Sequence, residues 1–235
     1  LVDHGYVNAE SGSFVADTLA GPKPITFTVD AEDKLATATV DMDAPILEAA
    51  LIPVAPNAVT SPTTHEGTCA IDTEAIVVQT IESPWGTFTF ACVSMGNPHA
   101  VCFLDKETFA ALPDECFTGA PRSLKTLDVA RVGSFFEAHA FFPEKTNVEF
   151  AVVEDARNIS MRVFERGCGE THACGTGACA TQVAAHLLGM TEPAADLHLL
   201  GGVLHIALEG GHVIMTGPAA MSFSGTVDPK ELIAW

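Results

Sequence analysis

Basic residues are scarce: eleven Lys and Arg stand against thirty Asp and Glu in 235 residues, a formal net charge of −19. A surface so acidic repels phosphate backbones and anionic membranes, which excludes nucleic-acid binding. Long apolar runs are also missing. The best candidates are broken by Gln79, His186 and Gly189 before they reach the roughly 18 residues that span a bilayer. Cysteine is present but in the wrong number for a disulfide framework: Cys69, Cys92, Cys102, Cys116, Cys168, Cys174 and Cys179 form an odd set without small-scaffold spacing. Reduced thiols in a reducing compartment fit better, and the cytoplasm is the expected location. No initiating Met and no charged leader followed by an apolar stretch open the chain. What is present is a 48% hydrophobic composition, enough for the core of one large domain or two small ones.

The pattern along the chain is one of short strands with few helices. The first residues, ending at Gly5, read as the last turn of a helix stopped by glycine. Residues 25–29 and 35–40 alternate around a polar stretch at 30–34, a hairpin signature. The proline-rich stretch 41–61 reads as a crossing between two lobes. Strands are expected at 75–81, 86–94, 100–104, 147–153 and 159–164, and a three-strand meander at 197–215 turns at Gly201-Gly202 and Gly210-Gly211. A helix or turn fits 106–111, while 135–141 is densely apolar with an ambiguous period. The clearest helix covers 177–189, where Ala180, Val183, Ala184, Leu187 and Leu188 trace a buried stripe and Gly189 marks the stop.

That helix follows the most informative stretch, Glu165-Arg-Gly-Cys-Gly-Glu-Thr-His-Ala-Cys-Gly-Thr-Gly-Ala-Cys-Ala180. A strand ends in an acid and a guanidinium, a glycine-rich turn follows, and Cys174 falls at a helix N-terminus. Unpaired N–H groups and the positive end of the dipole favour anions there, so a favoured thiolate is expected at Cys174. Gly175 and Gly177 leave room for a ligand carboxylate to touch backbone N–H groups. Three plainer readings compete. Gly175-Thr-Gly-Ala-Cys-Ala180 matches a dinucleotide-binding pattern, but it lies far from the preceding strand and lacks the strand-end acid expected ~20 residues on. Cys168, His172, Cys174 and Cys179 could hold zinc, yet their separations miss the usual knuckle and Cys179 would fall inside the helix. Cys174 could be a small hydrophobe at a helix start, and packing is the favoured reading for Cys168 and Cys179.

The signature resembles the second active-site motif of the diaminopimelate epimerase family. Met95-Gly-Asn-Pro-His-Ala-Val101, Lys145-Thr-Asn-Val-Glu-Phe150 and Met215-Thr-Gly-Pro-Ala219 agree in order and spacing, and the match runs from about residue 20 onward. The resemblance implies cofactor-free inversion at the α-carbon of diaminopimelate, from the LL to the meso form, on the route to lysine and peptidoglycan. Without a cofactor, one group must take the α-proton from one face while another delivers a proton to the opposite face. By carry-over Cys174 is one of that pair, Glu165 helps manage its proton, and His99 assists the other cysteine. Gly175 and Thr176 would bind the carboxylate at the reacting centre. Arg166 would clamp the distal carboxylate, with Asn97 and Asn147 completing its shell and Glu165 near the distal amine. No metal or cofactor is implied, the partner is a small-molecule substrate, and a homodimer is the expected assembly.

The fold implied is α+β, two pseudo-symmetric domains of curled, mostly antiparallel sheet around a central helix. Residues 1–52 plus 221–235 would form the first domain and 53–220 the second. One element of the family pattern is missing: no Cys-Gly-Asn-Gly segment opens a first central helix, and Cys69 lies in Thr-Cys-Ala-Ile without glycines. The expectation is therefore of a first domain that is incomplete and a chain that does not invert diaminopimelate alone. Two other readings stand beside this one: another cofactor-independent racemase or isomerase of the same fold, proline racemase-like or phenazine-biosynthesis-like, and a non-catalytic fragment.

Overall fold

The computed structural model describes residues 1–18, 21–62, 71, 75–220 and 223–226. Cys69 lies outside the described residues. They divide into two compact units, Leu1–Ala38 with Pro218–Trp235, and Thr39–Gly217. Residues 39–52, expected with the smaller part, group with the larger unit. Their anchors explain why: Ile46 bridges Ser94 in both backbone directions, and Ile52 sits fully in an aromatic core.

In the smaller unit β1 (Ser13–Thr18) pairs antiparallel with β2 (Gly21–Val29), which neighbours β3 (Leu35–Asp41), a strand whose residues 35–38 belong to this unit and 39–41 to the larger one. The expected turn is there. The Asp30 carboxylate accepts from the backbone N–H groups of Glu32 and Lys34, and Asp33 takes a positive φ of 57°, a conformation that Asp tolerates better than most residues. Near Leu1 the N–H of Tyr6 reaches the Leu1 carbonyl at 3.0 Å and that of Gly5 the Val2 carbonyl at 2.9 Å. Gly5 has φ +71°, and this nested pair is the hydrogen-bond pattern that closes a helix.

The larger unit is a mixed sheet. Its strands are β4 (Thr60–Pro62), β5 (Ala75–Ser83), β6 (Gly86–Ser94), β7 (Pro98–Phe103), β8 (Asn147–Asp155), β9 (Asn158–Glu165), β10 (Gly169–Thr171), β11 (Ala194–Leu199), β12 (Gly202–Glu209) and β13 (His212–Pro218). They run in the order β13-β12-β11-β9-β8-β7-β6-β5-β4, with β10 folded back on β9. Neighbours are antiparallel except at two places, where β7 meets β8 and β9 meets β11. A parallel pair requires a crossover. The first carries α1 (Lys106–Ala111) and α2 (Val129–Glu137), the second α3 (Gly175–Leu187). No helix among the described residues is long and apolar enough to cross a membrane.

Both faces of the central strands are buried, and residue parity separates them. On one face Val93, Val101, Ala151, Met161 and Val163 pack against α3 residues Ala178, Val183 and Leu187. On the other Phe90, Cys102, Val148 and Phe150 pack with Val132 and Phe136 of α2. The Phe136 ring lies 4.7 Å from that of Phe90 and 4.9 Å from that of Phe88, so the ambiguous apolar stretch at 135–141 resolves into the end of α2 and an aromatic core. Where α2 crosses β9, a β-carbon on Gly133 would stand 2.5 Å from the Phe164 β-carbon. The α3 stripe expected from sequence is also broader in fact. Every residue from Gly177 to Leu187 is buried, because strands β6, β7, β8, β11 and β12 all reach the helix.

Candidate active site

Two strand starts and one helix start converge on the α3 face. Between β6 and β7 the chain turns at Gly96 with φ +90°, and this delivers Asn97 and then His99 on the second residue of β7. Parallel pairing sets His99 beside Asn147 and Val101 beside Glu149. The odd-numbered positions of β8 point to α3, so Asn147 and Glu149 enter the same space as His99, while Val148 and Phe150 turn to the aromatic core.

Asn147 acts as a stitch. Its Nδ2 donates to the Pro98 carbonyl at 2.9 Å and its Oδ1 accepts from the Arg166 backbone N–H at 2.9 Å. The end of β9 is thereby tied to the start of β7. Glu165 accepts from the Thr171 hydroxyl across the β9–β10 hairpin. Arg166 is exposed, with one guanidinium nitrogen donating to the Glu144 carbonyl at 3.1 Å, and its other donors are available to an anion.

Cys174 is the N-cap of α3. Its Sγ accepts from the Gly177 N–H at 3.4 Å and lies 3.5 Å from the Thr176 hydroxyl. The first intrahelical bond joins the Ala178 N–H to the Cys174 carbonyl, so the N–H groups of Gly175 and Thr176 have no acceptor within the helix. Thr176 Oγ1 in turn accepts from Asn97 Nδ2 at 3.3 Å, and Asn97 Oδ1 faces His99 Nε2 at 3.2 Å. Asn97, His99, Cys174 and Thr176 are therefore one connected group, with Asn147 and Arg166 bonded beside it.

The expected favoured thiolate is corrected by burial. Cys174 is pushed up to about 11, first by loss of solvent and then by the nearby Glu149 carboxylate, with Glu165 adding to it. The Thr176 hydroxyl and Gly177 N–H pull the other way without offsetting these effects. At neutral pH the group at this helix start is a thiol. Cys179, fully buried and pushed up to about 12 by burial, packs in the core beneath it, while Cys168 is exposed in the preceding turn.

Glu149 was not singled out from sequence. It is fully buried and its Oε1 is 2.6 Å from His99 Nδ1. The available signal was parity: in the first half of a strand whose first five residues are all buried, Asn147 and Glu149 are the polar pair two apart. Gly177 clears space for the protein more than for a ligand: a β-carbon there would stand 2.7 Å from Glu149 Oε1 and 3.3 Å from Cys174 Sγ. A cavity of about 480 Å³ elsewhere in this unit, lined by Phe109, Arg122, Lys125 and Arg162 among others, contains none of these residues. Among the described residues, the one trio of metal-ligating side chains close enough to share an ion is Asp41, Asp43 and His212, none of them in this group.

A family model for diaminopimelate epimerase matches residues 91–222, which hold every residue of this group. The chain belongs to the diaminopimelate epimerase family. The family's curated members include a diaminopimelate epimerase of Desulfitobacterium hafniense, 37% identical over 97% of this chain and 68% of its own length. Another from Acetivibrio thermocellus is 38% identical, covering 92% and 66% respectively. The chain thus spans about two thirds of the diaminopimelate epimerases it matches. Among solved structures, a probable proline racemase from Agrobacterium radiobacter superposes with a TM-score of 0.59 at 14% identity, covering 97% of this chain and 65% of that one. A hydroxyproline epimerase from Agrobacterium vitis does so at 0.56 and 14%, covering 93% and 60%. These two share the fold, the α+β curled sheet with a helix against it.

Proposed function

We propose that the Cys174 group is one half of a two-sided proton-transfer site for the α-carbon of diaminopimelate. The observation that carries this reading is the thiol at the N-cap of α3, with the unshared N–H groups of Gly175 and Thr176 beside it. Those N–H groups suit the α-carboxylate, whose negative charge grows as the α-proton leaves. The exposed Arg166 guanidinium suits the distal carboxylate and Glu165 the distal amine. In a chain of net charge −19, attraction for a dicarboxylate has to be local, and one arginine beside a helix N-terminus supplies it.

The thiol form sets the direction of transfer. Cys174 donates its proton to the carbanion on one face, while a base on the opposite face has taken the original α-proton; in the reverse direction Cys174 thiolate takes the proton back. Each half-step moves one proton and leaves the carbon skeleton unchanged, so no cofactor is consumed. The described residues supply one thiol at a helix start. Inversion needs a second group facing it; with Cys174 alone, its thiolate fraction takes the α-proton and returns a solvent-exchanged one to the same face, so the reading is exchange of the α-hydrogen without inversion.

The test is chiral and isotopic analysis of diaminopimelate incubated with the 235-residue protein in deuterated water, beside the Cys174→Ala variant and with proline as control substrate. The expected result is α-deuterium in diaminopimelate of unchanged configuration, lost by several orders of magnitude in Cys174→Ala and absent from proline. The opposite epimer forming at an enzymatic rate would mean that a second base is present in these residues. Exchange that survives Cys174→Ala overturns the assignment of the thiol.

A further inference from the structure

The mechanism above leaves one buried charged group unused. Glu149 Oε1 contacts His99, but its Oε2 is buried with no hydrogen-bond partner, although an orphaned buried carboxylate oxygen is costly. From Glu149 a continuous chain of polar contacts runs to the sulfur: Glu149 to His99, His99 to Asn97, Asn97 to Thr176, and Thr176 to Cys174. The chain closes on itself, since Gly177 donates to Cys174 and its missing β-carbon is what lets Glu149 approach. Both ring nitrogens of His99 are engaged, Nδ1 by Glu149 and Nε2 by Asn97, so the ring is pinned between the two. The carboxylate is thus held in place by a buried partner, aimed at the space where Cys174 works.

We propose that Glu149 is a positioning residue for the proton transfer: anchored on His99, it fixes the Asn97, Thr176 and Cys174 chain and places a buried carboxylate beside the reacting sulfur. The inference rests on the reading of Cys174 as the transferring thiol. The titratable groups acting on that sulfur are Glu149 on β8, Glu165 at the end of β9 and Cys179 on α3 itself, with His99 on β7 reaching it through Glu149 and Asn97. Cys92 on β6 feels the same carboxylate. Glu149 is the acid among them that burial strips of solvent completely, so its charge is screened least.

The test reads the sulfur and not turnover, so its failure is distinguishable from failure of the epimerase reading. In a Cys168→Ser background, which removes the exposed thiol, the rate of iodoacetamide alkylation at Cys174 is followed from pH 6 to 10 by peptide mass. Glu149→Gln is expected to raise that rate about tenfold at pH 8 and move the profile to lower pH, a change of one pH unit being tenfold in thiolate. Glu149→Asp, which keeps the charge, is expected to stay within about threefold of the parent, by the same relation between thiolate and pH. A Glu149→Gln profile that superimposes on the parent overturns the proposal, as does a Glu149→Asp profile that moves equally far. Should Glu149→Gln not fold, His99→Gln serves: it leaves the carboxylate without its partner and slows the alkylation, and faster alkylation would overturn the proposal.

Discussion

Gly177 shows how little room the site leaves. A methyl there would meet Glu149 Oε1 at 2.7 Å and Cys174 Sγ at 3.3 Å, and Glu149 is enclosed and has nowhere to retreat. Gly177→Ala is expected to cost about 1–3 kcal/mol in urea unfolding, as overpacking of a filled site does, and to lower α-hydrogen exchange. An unchanged unfolding midpoint would show that the carboxylate can move aside. Sequence made part of this group legible and hid the rest. Glu165, Arg166, Cys174, Gly175 and Thr176 are neighbours in one stretch, so strand end, turn and helix start could be read together. Glu149 could not, because its importance comes from a partner fifty residues away and from burial that only the β7–β8 register creates.

At the scale of elements, local pattern worked where one period dominated. The ends of β6 and α1 fall where alternation and composition put them, and the 197–215 meander is β11 to β13, turning at the predicted glycine pairs. It found α3 by its apolar stripe but not how far its burial extends: the helix is buried from Gly177 to Leu187, the polar Thr181, Gln182 and His186 included. The 135–141 stretch mixes the end of α2 with loop residues that enter the same aromatic core. Phe136 is the keystone of that second face, fully buried against Phe88 and Phe90. Phe136→Ala is expected to destabilise by about 3–5 kcal/mol through lost burial and the cavity left behind. A loss below about 1 kcal/mol in urea unfolding would mean that the aromatic core collapses to fill the space.

Across the whole molecule the buried thiols give stability a pH limit. Cys92, Cys102 and Cys179 are pushed up to about 12 from an ordinary value of 9.0, in each case chiefly by burial. Between pH 9 and 12 the unfolded chain has released these protons and the folded one has not, so the unfolded state binds fewer protons and stability falls as pH rises. Each thiol contributes about 1.4 kcal/mol per pH unit crossed. Urea midpoints should therefore be level from pH 7 to 8.5 and decline steadily above 9, less steeply in Cys102→Ala; a midpoint that holds to pH 10.5 contradicts this account.

The covering of β7 and β8 on both faces has a consequence for how the protein breathes. Amides in these strands can trade hydrogen with solvent only when α3 or α2 lifts away, which takes apart one of the two cores, so they belong to the slowest-exchanging set in the chain. His99, Asn147 and Glu149 are carried by those strands. Arg166 and Cys168 lie in the exposed turn beyond β9, outside both cores. The molecule therefore keeps the residues proposed to handle the proton in its most persistent part, and the arginine proposed to hold the substrate outside both cores.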